Sequence, residues 1–242
     1  MASVHTTRAI VLRTVRHGDK GVVLKAFTET FGLRGYMLRT GGKGPSRLAA
    51  LQPLNRVELV VTEHAERDLQ QLREVRVERP FVNLPTDPLR GAVALFVQEV
   101  LVRVLREESA DPALFAHLQE VLEHLDLDPE LGHFPLRFVV GLMAPLGILP
   151  EPPAVGEDHF DLREGRFVPV EHAHGHVIGP PNSLALAALL NAELAAEGPP
   201  QLPGTVRRTL LDQLLLYYRM HLEGLGELRS PSVLHQVLGQ AG

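Results

Sequence analysis

Cysteine is absent from the 242 residues, which excludes a disulfide framework, a thiolate zinc site and a cysteine nucleophile. Any metal would have to be held by histidine and carboxylate. Aromatic residues make up only 5% of the chain, and of these just Phe27, Phe31 and Tyr36 fall within the first 56 residues. Long apolar runs are missing as well: residues 92–105 are interrupted by Gln98, Glu99 and Arg103, and residues 1–16 lack the apolar centre of a signal peptide. Neither secretion nor a membrane span is expected, and the cytoplasm is the default location. Enzyme signatures are equally scarce. In Gly41-Gly42-Lys43-Gly44, Gly44 stands where a phosphate loop needs Ser or Thr, and Met37 stands where it needs its first glycine. No G-x-S-x-G, H-E-x-x-H or G-x-G-x-x-G pattern occurs, so no catalytic residues, cofactor or metal are expected.

What the chain does have is an uneven distribution of charge. The total is a mild −5, but residues 1–56 carry ten basic side chains against only Asp19 and Glu29, a local +8 that leaves −13 on the remaining 186 residues. Phosphate binding responds to local rather than total charge, so the basic part points to nucleic acid. Arg8, Lys25, Arg34, Arg39, Lys43 and Arg47 are the candidate DNA-binding residues. They would neutralise backbone phosphates by releasing counterions, blind to base sequence. With so few aromatics, base stacking is expected to be a minor term, and a backbone grip leaves bases free to pair. The alternative is a protein-interaction adaptor whose basic domain binds acidic protein surfaces.

The texture of the chain changes near residue 80. Before it, short β-branched runs at residues 9–15, 22–27, 36–39, 57–62 and 69–77 are separated by turns such as His17-Gly18-Asp19 and by the loop of residues 41–47. Five short strands without a helix of usable length suit a small β-barrel. After it, the periodicity is helical: residues 89–107 are apolar almost all round, Asp111-Pro112 caps a helix, Asp128-Pro129 repeats the device before a stretch reaching residue 147, and helices recur at 183–196, 205–225 and 230–238. Residues 149–181 are rich in Pro, Gly and His and are expected to form an irregular insertion with a small hairpin near 160–168. The class is α+β, with domains at 1–80 and 81–242.

His172, His174 and His176 alternate, so an extended strand would put all three on one face, where His159 or Glu157 could complete a nitrogen and oxygen metal site. The competing reading is a polar surface loop.

Several segments, taken in order, resemble the RecO family of bacterial recombination mediators. They are Ala9-Ile10-Val11-Leu12-Arg13-Thr14 followed by Gly18-Asp19, then Phe27-Thr28-Glu29-Thr30-Phe31-Gly32, Leu51-Gln52-Pro53-Leu54, Leu136-Arg137-Phe138 with Leu146-Gly147, and Tyr217-Tyr218 through Leu228-Arg229-Ser230. The likeness runs from about residue 8 to 238. It implies an oligonucleotide-binding (OB) type barrel followed by a helical domain, and a function in DNA repair without nucleotide hydrolysis. It further implies binding of single- and double-stranded DNA, annealing of complementary strands, and loading of RecA, together with RecR, onto DNA coated with single-strand binding protein, at the nucleoid. Many members hold zinc with four cysteines in the insertion, whereas this chain has Phe160-Asp161-Leu162-Arg163-Glu164-Gly165-Arg166-Phe167, which favours a metal-free loop. The tail of single-strand binding protein, acidic and ending in an apolar residue with a free carboxylate, needs a cation beside an apolar groove. Arg137, followed by the apolar residues 138–143, is the first candidate, with Arg103 and Arg207 as alternatives.

Overall fold

The computed structural model describes residues 2–18, 21–39, 44–64, 66–106, 109–169, 175–194, 198 and 200–240. Strands β1 (Ala2–His17), β2 (Gly21–Thr28), β3 (Gly32–Arg39), β4 (Arg56–His64) and β5 (Leu69–Arg79) close into a barrel in the order β1-β2-β3-β5-β4. All neighbours are antiparallel except β3 and β5, which run parallel where Gly35 faces Leu69 and Met37 faces Gln71. This is the OB-type barrel that the sequence led us to expect.

Strand alternation explains the closure. Val22, Leu24 and Ala26 of β2, Tyr36 and Leu38 of β3, and Val57, Leu59 and Val61 of β4 point inward and form one core with Ala9, Val11 and Leu72. The residues between them face outward, because successive side chains leave opposite faces of a strand. A bulge between Val11 and Arg13 shifts the register of β1, which re-aims the side chains beyond it.

One barrel connection departs from the expectation of a loop. Helix α1 (Gly44–Ala50) occupies residues expected to lie in the glycine-rich loop and beyond. Pro45 suits the first helical turn, and Leu48 and Leu51 pack on the barrel core. The apolar face that ends this segment overrides its glycine-rich start.

The chain divides into two compact units, Met1–Ala94 with Val100–Leu127, and Leu95–Glu99 with Asp128–Gly242. Residue 80 thus marks the change from strand to helix, while the first compact unit runs past it. Two helices follow the barrel, α2 (Pro88–Val104) and α3 (Pro112–Leu127). Asp87 caps α2 by accepting from Leu89 N at 2.8 Å, and Asp111 caps α3 by accepting from Leu114 N at 2.9 Å. Within the first unit, buried Asp126 accepts from the amides of Val82, Asn83 and Leu84 at 2.8–2.9 Å, fixing the segment that leaves β5. Burial opposes ionisation of Asp126, but these three donors and nearby Arg56 outweigh it and hold the carboxyl below its usual range.

In the second unit the next helix, α4 (Phe134–Met143), starts later than Asp128-Pro129 suggested. Gly132 lies against the Arg207 guanidinium, where a Cβ would sit 3.3 Å from it, and the helix begins only at Phe134, with Pro135 in its first turn. The region expected to be irregular holds a three-stranded sheet, β6 (His159–Asp161), β7 (Arg166–Val168) and β8 (Val177–Ile178), in the order β7-β6-β8. Helices α5 (Asn182–Leu194), α6 (Gly204–His221) and α7 (Ser230–Gln240) complete the unit. Phe160 packs against Phe167 and Tyr217 with ring centroids 5.0 and 5.5 Å apart, and the Tyr217 hydroxyl donates to Ile148 O at 2.7 Å. Gly165, at φ +67°, is required in that turn, since a Cβ would meet the same hydroxyl at 3.0 Å.

Candidate nucleic-acid interface

The β1–β2 hairpin places cations in register. Arg13 pairs with Lys25, and Lys25 pairs in turn with Gly35 of β3, so one row across the outer barrel face reads Arg13, Lys25, Gly35. The next outward row is Val15, Val23 and Met37, and the one beyond is His17, Gly21 and Arg39. Arg16 and Arg39 are exposed near the end of the hairpin. No carboxylate stands on any of these three rows.

Setting Arg13 beside Lys25 puts two like charges at neighbouring positions, which by itself is unfavourable and which a polyanion would relieve.

Arg8 shows the contrasting arrangement on the same strand, before the bulge. Its Nε donates to Glu29 Oε2 at 2.8 Å, a second guanidinium nitrogen contacts Glu29 Oε1, and its carbon lies 5.6 Å from the Phe115 ring centre. The hydrogen bond from Arg8 holds the Glu29 carboxyl below its usual range, and Glu29 in return keeps the guanidinium charged. Arg8 is therefore not brought together with the other cations.

The remaining basic candidates sit at the margins. Arg34 is half-buried on β3 and donates to Leu33 O at 3.3 Å, and Arg47 is half-buried on α1 rather than in a loop. Lys43 lies outside the described residues. Arg13 and Arg16 were not singled out from sequence, although the turn at His17-Gly18-Asp19 carried the signal: a hairpin centred on residue 19 pairs 13 with 25.

Of the three aromatics, Tyr36 is inside the barrel and Phe27 packs on Phe115 with centroids 6.1 Å apart. Phe31, half-buried in the β2–β3 turn, meets His5 edge to face. The one ring on the outward side of β2, Phe27, is thus covered by Phe115, and no exposed aromatic ring stands on the outward positions of β2 and β3.

The candidate partner residues divide between the units. Arg103 is exposed near the end of α2 in the first unit. In the second, Arg137 is exposed on α4, but the apolar residues 138–143 after it are all buried in the helical core and form no open groove. Arg207 is engaged, contacting His133 Nε2 at 3.1 Å and donating to Leu202 O at 3.2 Å. Burial and the adjacent Arg207 charge push the His133 imidazole below its usual pKa range, which keeps Nε2 free to accept.

Of the three alternating histidines, His172 and His174 lie outside the described residues, and His176 follows Gly175, which has φ +70°. His159 Nδ1 is paired with Asp158 at 2.7 Å, and Glu157 accepts from Ala154 N at 2.9 Å. Among the described residues no three His, Asp or Glu side chains gather as metal ligands, and no helix is long and apolar enough to cross a membrane.

Comparison with known proteins gives matches along the whole chain. A family model described as Recombination protein O N terminal matches residues 1–81, and one described as Recombination protein O C terminal matches residues 85–230. The chain is 29% identical over 236 residues to the DNA repair protein RecO of Christiangramia forsetii, covering 96% of this chain and 98% of that protein. It is 30% identical to the DNA repair protein RecO of Porphyromonas gingivalis, covering 94% and 96% respectively. The corresponding protein of Azobacteroides pseudotrichonymphae is 27% identical over 238 residues.

Proposed function

The chain belongs to the RecO family of DNA repair and recombination proteins, and from that premise we propose that it is a non-enzymatic mediator that grips DNA through the outer face of β1, β2 and β3. The observation that carries this reading is the row of Arg13 and Lys25, joined on the same face by Arg39, with no carboxylate on these rows and with Arg16 exposed near the end of β1. Arg34 and Arg47 add charge at its margins. Backbone phosphates of single- or double-stranded DNA neutralise this face, and with no exposed ring on the outward β2 and β3 positions the bases stay available for pairing. That combination suits annealing of complementary strands.

The same reading places the protein in the cytoplasm at the nucleoid, acting with RecR to load RecA where single-strand binding protein covers DNA. Arg137 is the proposed contact for the tail of that protein as an exposed cation on α4, acting through charge alone because the apolar residues after it are buried, while Arg207 is held by His133. Comparing Arg137→Ala with Arg103→Ala for tail-peptide affinity tests this contact, and full affinity in Arg137→Ala rejects it.

The deciding experiment is a strand-annealing assay with and without single-strand binding protein, joined to a salt titration of oligonucleotide binding. A steep salt slope with little sequence preference is expected. Loss of annealing in Arg13→Glu/Lys25→Glu with the fold retained supports the assignment. Unchanged annealing and DNA binding in that variant refutes it, and binding confined to acidic proteins favours an adaptor.

A further inference from the structure

A cavity of about 400 Å³ opens in the first unit between the start of β1, the β2–β3 turn and the β4–β5 turn, a volume within the range of small-ligand sites. The ring pair of His5 and Phe31, with centroids 5.2 Å apart at 74°, lies on its lining. Arg34 and Arg67 line it too, as do Glu63 and Asp68. Two cations and two carboxylates balance, so this is not a pocket for a bare anion. Rings beside donors and acceptors of both kinds suit a nucleobase, which offers a flat face and a polar edge.

Both turns that wall the cavity are held by buried polar side chains. Thr28, fully buried, accepts from Phe31 N at 3.0 Å and donates to Gly32 O at 2.9 Å, while Thr7 accepts from Thr30 N at 3.3 Å. These contacts set the position of Phe31. Across the cavity's other turn, Gln70, 4% exposed, accepts from His64 N at 2.7 Å and donates to His64 O at 2.9 Å and to Arg67 O. Three polar side chains removed from water to shape two turns describe a prebuilt site, since each had to find partners for its lost solvent.

The cavity is also continuous with the cation rows. Gly35, the third member of the row begun by Arg13 and Lys25, lines it, and a Cβ there would meet Leu69 Cδ1 at 3.4 Å. A strand crossing that row arrives at the cavity.

We propose that this cavity is a subsite for one unstacked base of a DNA strand whose backbone lies on the β1-β2-β3 face, a proposal that rests on that face being the DNA surface. One anchored base sets the strand's position on the barrel while the others remain free to pair.

The test titrates the full chain, at several salt concentrations, with two single strands of equal length. One carries bases and the other is built from abasic units. The wild-type protein is expected to bind the base-bearing strand roughly tenfold more tightly, with similar salt slopes for both. His5→Ala, at an exposed position, and Phe31→Leu, which retains apolar volume, are each expected to bring the ratio close to one while leaving affinity for the abasic strand unchanged. Equal wild-type affinity for the two strands with a steep salt slope overturns the base subsite and leaves the backbone reading standing. A wild-type preference for bases that neither substitution reduces overturns it as well. Failure to bind either strand removes the DNA reading itself, and the subsite with it.

Discussion

The outer face of the barrel and the helical segments handle charge in opposite ways. Across β1, β2 and β3, Arg13 faces Lys25 without an intervening carboxylate, and Arg16 and Arg39 project nearby. In the helical segments, charged groups that leave water are given dedicated partners. Asp126 receives three backbone amides, Glu99 accepts from Arg229 N, Ser230 N and the Ser230 hydroxyl at the start of α7, and Arg207 is divided between His133 and Leu202 O. The difference separates cations paired with distant groups of the fold from cations set side by side on the barrel surface. Arg8 belongs to the first kind despite its place on β1, which shows that strand membership alone does not assign a role.

The comparison can be broken first at Asp126. Asp126→Ala leaves three amides without their acceptor and is expected to lower stability by about 3 kcal/mol in urea unfolding, with DNA affinity of the folded fraction retained. Because the folded carboxyl is held below its ordinary range, the stability it contributes is complete above about pH 4 and fades as pH falls through the lowered value. The gap between wild type and Asp126→Asn should therefore be wide at pH 7 and narrow at pH 3. A variant as stable as wild type would erase the structural half of the contrast.

Next in size is the double reversal Arg13→Glu/Lys25→Glu. Removing two phosphate contacts and adding repulsion should weaken single-strand binding about 30-fold at low salt and flatten the plot of log K against log salt by about 1.5, read by fluorescence anisotropy. Stability should move by less than about 0.5 kcal/mol, since both positions face outward. If unfolding shifts more than affinity does, the face is structural after all.

A smaller change is expected at Glu99. Glu99→Gln keeps the shape but loses the charge that gathers three donors, so about 1 kcal/mol is expected, concentrated in faster amide exchange across α7. The smallest effect belongs to Arg8→Ala. Its exposed pair with Glu29 contributes about 0.5 kcal/mol or less, and DNA affinity should change by less than about twofold. A loss equal to that of the Arg13 and Lys25 reversal would place Arg8 back on the DNA surface and dissolve the distinction drawn along β1.

What the sequence determined by itself is everything carried by local pattern: five barrel strands from alternation and turns, the change to helix near residue 80, the caps at Asp111-Pro112, and the excess of cations before residue 57. These are legible because period, capping and net charge are properties of neighbours in the chain. Tertiary structure alone decided which charged groups are tied to distant partners. Glu29 lies twenty-one residues from Arg8 and Asp126 more than forty from the amides it binds, so neither pairing leaves a local trace. Packing likewise decided that the segment after Gly44 coils into α1 to bury Leu48 and Leu51, and that Arg207 seats against Gly132 while the Asp128-Pro129 start goes unused. Val177 and Ile178 form a strand only because Asp161 and Phe160 pair with them. In each case the deciding energy comes from burial or from a hydrogen bond between residues distant in sequence, which no window along the chain contains.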